Sequence, residues 1–283
     1  MPAQSETFVE SWGLKAAPAR RRIRVIPTLL RDGRGRLVKT VKFDKRTYIG
    51  DPINAVRIFN GKEVDELLLL DIDATREGRA PDYGAIEEIV SEAFMPVGYG
   101  GGIRTMDEIA RLFECGIEKV VLSSAVADNL DLIEQASTRF GAQSVAVCLQ
   151  VKRSLMGRYS VRFNSGATGS GETPEAFARA VVARGAGELI VYSIDRDGAY
   201  KGYDIELLRT VADAVDVPVV ACGGARDIAG FRDAIVDGGC SAVAAGSLFV
   251  YRSAGQGVLI SYPSQAELTR ELFDKVTPDA EQS

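Results

Sequence analysis

The chain has 283 residues, 46% of them hydrophobic, with a net charge of −5, four cysteines and no histidine. The acidic balance argues against a general nucleic-acid binder. The absence of histidine, with no C-x-x-C pair, excludes a Ser-His-Asp triad, a histidine base and the usual zinc sites. Nothing in the sequence calls for a metal or a cofactor.

Taken in chain order, residues 1–21 are polar and aperiodic and are expected to form a flexible extension. They hold no apolar stretch of the kind a secretory signal needs. The basic run Arg20, Arg21 and Arg22 reads as a solvated lead-in to the first strand. Short β-branched runs then alternate with amphipathic stretches. The predicted strands are Ile23–Leu30, Glu66–Asp73, Pro96–Gly100, Lys119–Ser123, Ser144–Gln150, Glu188–Ile194, Pro218–Cys222 and Ala242–Ala245. Eight such runs, most followed by a helical pattern, predict a closed (β/α)8 barrel over residues 22–276, a fold that typically takes about 250 residues. An open doubly wound sheet is the competing architecture. Residues 277–283 read as a flexible tail. No apolar run approaches the about 18 residues of a membrane span. Cys115, Cys148, Cys222 and Cys240 read as small buried hydrophobes of a protein in a reducing cytoplasm.

The sequence repeats itself, which favours the barrel. Glu66-Leu-Leu-Leu-Leu-Asp-Ile-Asp73 is similar to Glu188-Leu-Ile-Val-Tyr-Ser-Ile-Asp195, and the stretch from Met95 to Arg104 is similar to that from Val217 to Arg226. Both pairs stand 122 residues apart (188 − 66 and 218 − 96). Each copy supplies about four strands, so two half-barrels close on each other and hide their open edges.

Gly100, Gly101 and Gly102 end one strand before the helix opened by Thr105, and Gly223 and Gly224 do the same before Asp227. Glycines there let backbone N–H groups approach an anion. The next strand of each half ends in small residues, Ser123 and Ser124 in the first and Gly246 and Ser247 in the second. Two phosphate cups on one rim are therefore expected, suited to an elongated ligand with a phosphate at each end. The competing reading is a pair of tight turns. Asp195 and the Asp197-Gly198 pair follow the sixth strand, where carboxylates reach the barrel's active rim, although Asp197-Gly198 also reads as a plain turn. Asp71 and Asp73 hold the matching place in the first half. At the other end, Arg24, Glu66, Lys119 and Glu188 stand at strand starts, and if they point inward they form a ring of two cations and two anions at the floor. A structural plug or solvated strand starts would fit the same pattern.

Several stretches together resemble the HisF family, the cyclase subunit of imidazole glycerol-phosphate synthase. They include Gly50-Asp-Pro52, Asp65-Glu-Leu67, Gly100-Gly-Gly-Ile103, Arg184-Gly-Ala-Gly-Glu188, Ser193-Ile-Asp-Arg-Asp-Gly198 and Gly202-Tyr-Asp204, within about Arg22 to Arg252. The resemblance implies a (β/α)8 barrel that docks a glutaminase (HisH-like) subunit at its floor and takes ammonia through its bore. It implies an ammonia gate at Arg24, Glu66, Lys119 and Glu188. It also implies that Gly102, Ser123, Ser124, Asp197, Gly198, Gly224, Gly246 and Ser247 bind the phosphates of a small phosphorylated ligand. The family's two acid–base aspartates are not matched: Leu30 and Gln150 stand at their positions. Leucine transfers no proton and an amide does not titrate near neutral pH. Asp32 and Asp195 are the candidate substitutes.

Ile26-Pro-Thr-Leu-Leu30, the run from Val38 to Phe43, the run from Gly50 to Asn60, and Val258-Leu-Ile-Ser-Tyr-Pro263 are most similar to HisF-like proteins associated with glycosyl amidation (WbuZ type). That resemblance implies ammonia delivery to a separate ATP-dependent sugar amidotransferase in lipopolysaccharide O-antigen biosynthesis, without cyclase chemistry. Retained cyclase activity and a non-catalytic phosphate-binding scaffold remain the alternatives.

Overall fold

The computed structural model describes residues 23–253 and 256–276. The extension expected over 1–21 and the tail over 277–283 lie outside the described residues. β1 (Arg24–Arg31) is followed by a hairpin of β2 (Leu37–Lys39) and β3 (Thr47–Gly50). Then come β4 (Leu67–Asp71), β5 (Val97–Gly100), β6 (Lys119–Leu122) and β7 (Val145–Arg153). β7 runs on into β8 (Tyr159–Phe163) and β9 (Thr168–Gly169), before β10 (Glu188–Ser193), β11 (Val219–Cys222) and β12 (Ala242–Ala245). The parallel pairings β1–β4–β5–β6–β7–β10–β11–β12–β1 close an eight-stranded (β/α)8 barrel, with β10 joined to β7 over six register pairs from Glu188↔Ala146 to Ser193↔Val151. The eight predicted strands are these eight, with ends shifted by up to three residues, the largest at β7, which runs on to Arg153.

Alternation along each strand divides the apolar residues into two layers. Val25, Leu29, Leu67, Leu69 and Val147 pack outward against the helices. Ile26, Leu68, Val121, Ile190, Val220 and Ala244 fill the bore. Cys148 and Cys222 lie in the bore and Cys240 in the outer layer, while Cys115 is only half-buried against a helix.

The repeat extends to the helix starts. Asp51 caps α1 (Pro52–Asn60), Asp82 caps α2 (Tyr83–Ser91), and Thr105 forms a capping box with Glu108 on α3 (Met106–Glu114). α4 (Asp131–Phe140) has no side-chain cap. Thr173 caps α5 (Pro174–Ala183), Asp204 caps α6 (Ile205–Ala212), and Asp227 caps α7 (Ile228–Val236). The three pairs of caps again stand 122 apart (173 − 51, 204 − 82, 227 − 105). The hairpin extensions after β1 and β7 obey the same offset, Leu37 matching Tyr159 and Thr47 matching Gly169. They raise a wall over the C-terminal rim, and the sequence reading did not include them.

Candidate functional site

The four charged residues at the strand starts do meet in space. Arg24 Nη1 donates to Glu66 Oε2 at 2.5 Å and Nη2 donates to Glu188 Oε1. Lys119 Nζ donates to Glu66 Oε1 at 2.7 Å and to Glu188 Oε2 at 2.6 Å. Each cation therefore bridges both carboxylates, and each carboxylate oxygen has one donor. Burial pushes the Glu188 carboxyl up, but the attraction of Lys119 and the bond from Arg24 outweigh it, leaving its pKa below the ordinary value. The two glutamates are repeat mates (188 − 66 = 122), whereas the mates of Arg24 and Lys119 are Ala146 and Ser241. The acids of the ring thus follow the internal symmetry and the bases do not.

At the opposite rim the eight residues expected to cradle phosphate gather into two cups. Gly102, Ser123 and Ser124 line one side of a cavity of about 210 Å³ at the centre of the rim, whose other side is formed by Gln150, Asn164 and Tyr192 of the second half. Asp197, Gly198, Gly224, Gly246 and Ser247 line a much smaller one of about 20 Å³ over the second. The glycines are required by geometry. Gly101 has φ +122° and an added Cβ would stand 2.3 Å from the Asp71 carbonyl oxygen; Gly224 has φ +106° and its Cβ would stand 2.4 Å from the Gly202 oxygen.

Asp197 is engaged structurally. Its carboxylate accepts from Thr40 Oγ1 at 2.6 Å, Tyr192 Oη at 2.9 Å and the Phe43 N–H at 3.2 Å, which ties the loop after β2 to the end of β10. Gly198 passes under the same loop, an added Cβ meeting the Thr40 oxygen at 2.2 Å.

Leu30 and Gln150 both line the larger cavity. Ser123 Oγ donates to the Cys148 carbonyl at 3.0 Å and accepts from Gln150 Nε2 at 3.2 Å, which fixes the amide's orientation. Neither residue can exchange a proton near neutral pH. The proposed substitutes stand elsewhere, and neither lines either of these two cavities. Asp32 Oδ2 is held by Arg36 at 2.7 and 3.0 Å and Oδ1 by the N–H groups of Arg34 and Arg36. Burial raises the Asp32 pKa, but these donors outweigh it and leave the carboxyl below its ordinary value. Asp195 accepts the Arg153 N–H at 2.7 Å, pinning β7 to the turn after β10.

Other residues at the rim were not singled out in the sequence. Lys39 is buried and its ammonium reaches the second cup, donating to the Thr28 carbonyl at 2.6 Å. Burial pushes its pKa down to about 8, against the opposing attraction of Asp197. Tyr200 lines the same cup, its hydroxyl donating to the Ser247 carbonyl at 2.9 Å. Arg46 and Arg76 line the first cavity, and both hold Asp73, at 2.6–2.7 Å. The one available signal was basic residues in segments that follow strands, which is too common to point to a site. Among the described residues no cluster of three or more acidic or cysteine side chains could hold a metal ion. Nor is any helix among them long and apolar enough to cross a membrane.

A closed half-repeated barrel with a charged floor and a glycine-rich rim defines a class that comparison with known proteins narrows. The family described as histidine biosynthesis protein matches residues 24–254. A Pseudomonas aeruginosa protein named "Putative imidazole glycerol phosphate synthase subunit hisF2" is 48% identical over 87% of this chain and 98% of its own length. A Leptospira interrogans protein named as a HisF subunit of the same synthase, also with the qualifier "putative", is 44% identical over 86% of this chain and 96% of its own. "Imidazole glycerol phosphate synthase subunit HisF" of Alkaliphilus metalliredigens is 38% identical over 81% of this chain and 90% of its own. The chain belongs to the HisF family of histidine biosynthesis proteins.

Proposed function

We propose that this chain is the barrel subunit of a glutamine amidotransferase complex, passing ammonia from a HisH-like glutaminase docked at its floor to an acceptor beyond its rim. The observation that carries this reading is the combination of a complete charged ring at the floor with Leu30 and Gln150 at the rim positions where the family places acid–base aspartates. Loss of one general acid–base group typically costs about 10²–10⁴ in rate, and neither Asp32 nor Asp195 lines the cavity that Leu30 and Gln150 line. The bore between ring and rim is walled by Ile26, Leu68, Val121 and Ala244, which offer a small neutral molecule no charged trap. Phe94, 87% exposed in the loop before β5, stands on the floor side and supplies an apolar anchor for the glutaminase. On the reading from resemblance, the acceptor is a sugar of a surface polysaccharide, amidated by a separate ATP-dependent sugar amidotransferase.

The names of the relatives favour a second reading, a cyclase subunit of imidazole glycerol-phosphate synthase. One experiment separates the two. The purified chain receives an ammonium salt at alkaline pH and the ribulosyl-ribonucleotide substrate, and consumption is followed against a heat-inactivated control. The conduit reading expects no turnover from folded protein. Turnover clearly above the control establishes the cyclase reading and shows that proton transfer runs through groups other than Leu30 and Gln150.

A further inference from the structure

The hairpin turns that follow β1 and β7 are built alike. In the first, the Gly35 N–H donates to the Asp32 carbonyl and the Asp32 N–H to the Arg36 carbonyl, both at 2.9 Å. In the second, the Gly157 N–H donates to the Ser154 carbonyl at 2.9 Å and the Ser154 N–H to the Arg158 carbonyl at 2.8 Å. Each of these residues stands 122 after its mate (154 − 32, 157 − 35, 158 − 36). Gly35 and Gly157 share a left-handed backbone, with φ 79° and 82°. The tips differ. Where the first turn carries Gly33 and Arg34, the second carries Leu155 and Met156, which are 109% and 82% exposed. The turn itself therefore does not require an apolar pair, and burial in the fold does not account for one.

The charge of the tip changes as well. In the first turn the Asp32 carboxylate accepts Arg36 Nε at 3.0 Å and Nη2 at 2.7 Å. In the second the mate of Asp32 is Ser154, so Arg158, the mate of Arg36, has lost its acid. Residues 151–171 hold Lys152, Arg153, Arg158 and Arg162 and no acidic residue, in a chain whose net charge is −5. Among the described residues only Arg153 of these four forms an ion pair, with Glu206 at 3.1 Å. Lys152 and Arg158 are exposed and flank the apolar pair on either side, and Arg34 is exposed at the mate tip on the same rim. A broad anionic surface laid over the rim can meet both tips, whereas a pocket that closes on Leu155 and Met156 meets one.

We propose that the β7–β8 hairpin tip docks this chain on an anionic phospholipid surface, with Leu155 and Met156 entering the head-group layer and Lys152 and Arg158 meeting the lipid charges. Apolar side chains beside cations suit such a surface, because burial of the first and attraction of the second act together. Each cation near an anionic leaflet is worth about fivefold in partitioning. Two apolar side chains and two free cations give weak, reversible attachment, unlike a spanning helix. Contact through the rim leaves the charged floor of the barrel free. The assignment does not rest on the ammonia-conduit reading, since it concerns binding to lipid and no transfer step.

The test is co-sedimentation of the full chain with vesicles of phosphatidylserine and phosphatidylcholine in equal parts, against vesicles of phosphatidylcholine alone. Binding is expected to the first and not to the second. It should weaken severalfold as salt rises from about 0.1 M to about 1 M, where the screening length falls from about 10 Å to about 3 Å. The double variant Leu155→Ser with Met156→Ser is expected to bind about 10–100-fold more weakly. Lys152→Gln with Arg158→Gln is expected to lose about 25-fold, fivefold for each cation. All four side chains are exposed, so both variants should melt as the parent does. A parent chain that ignores the anionic vesicles at millimolar lipid overturns the proposal and leaves the tip to an acid-rimmed apolar pocket of a protein partner. Equal binding to the neutral vesicles overturns it as well, as does a folded double variant of either kind that binds like the parent.

Discussion

Removing Lys119 is the sharpest way to probe the floor. Its ammonium bridges Glu66 and Glu188 at 2.7 and 2.6 Å, and the two carboxylate side chains are only 8% and 7% exposed. In Lys119→Met both carboxylates must share Arg24, so one buried charge loses its compensation. Breaking a buried ion pair by deleting one partner costs about 3–5 kcal/mol, which in a domain of this size lowers the melting temperature by roughly 6–20 °C. The pH dependence carries a sign of its own. In the unaltered ring the Glu188 pKa lies below its ordinary 4.5, so its contribution is present above that value and is lost as pH falls through the depressed one. In the variant the crowded carboxylates take up a proton more readily, so the folded state is penalised at neutral pH and relieved on acidification. The assay is denaturant unfolding of both proteins between pH 5 and pH 8. A loss of stability that is largest at pH 8 and shrinks toward pH 5 is expected. A variant as stable as the parent at pH 8, or a deficit unchanged by pH, would refute the buried-network account. Lys119→Arg should recover most of the loss, because it restores the charge.

Lys39→Met should stabilise the protein at pH 7 by about 1–3 kcal/mol, because burial holds the ammonium's pKa at about 8, below its ordinary 10.5. The unfolded chain binds the extra proton between those values, so the parent gains stability as pH rises from about 8 to 10.5 and the advantage of the variant fades there; parallel melts at pH 7 and pH 10 check the sign. Gly101→Ala should cost about 2–5 kcal/mol through the clash with the Asp71 carbonyl and its positive φ, read by denaturant unfolding. Thr105→Ala removes half of the capping box on α3 and should cost about 1 kcal/mol without altering ligand binding.

The barrel was legible in the sequence because its signals are local and repeated. Each barrel strand is a short apolar run that alternates between bore and outer layer, and the offset of 122 residues recurs at the glycine turns and the helix caps. The partners of Arg24, Glu66, Lys119 and Glu188 were also within reach, since residues at strand starts on inward positions have nowhere to go but the floor. The hairpins after β1 and β7 escaped notice because β2 and β9 have three and two residues, too few to show a period. The absence of carboxylates at Leu30 and Gln150 could be read directly, but whether Asp32 or Asp195 could replace them could not. Arg36 and the backbone of β7 claim those two side chains, and only the folded chain brings them together. The side chains that reach the second cup lie furthest from the sequence. Gly224, Gly246 and Ser247 form a turn like that of their counterparts in the first half, and what lines the cup beside them arrives from elsewhere in the chain: Lys39 from the end of β2 and Tyr200 from the loop after β10. Local pattern specifies backbone turns, because backbone geometry is set by neighbours in the chain; the space above a turn is set by side chains that only tertiary packing delivers.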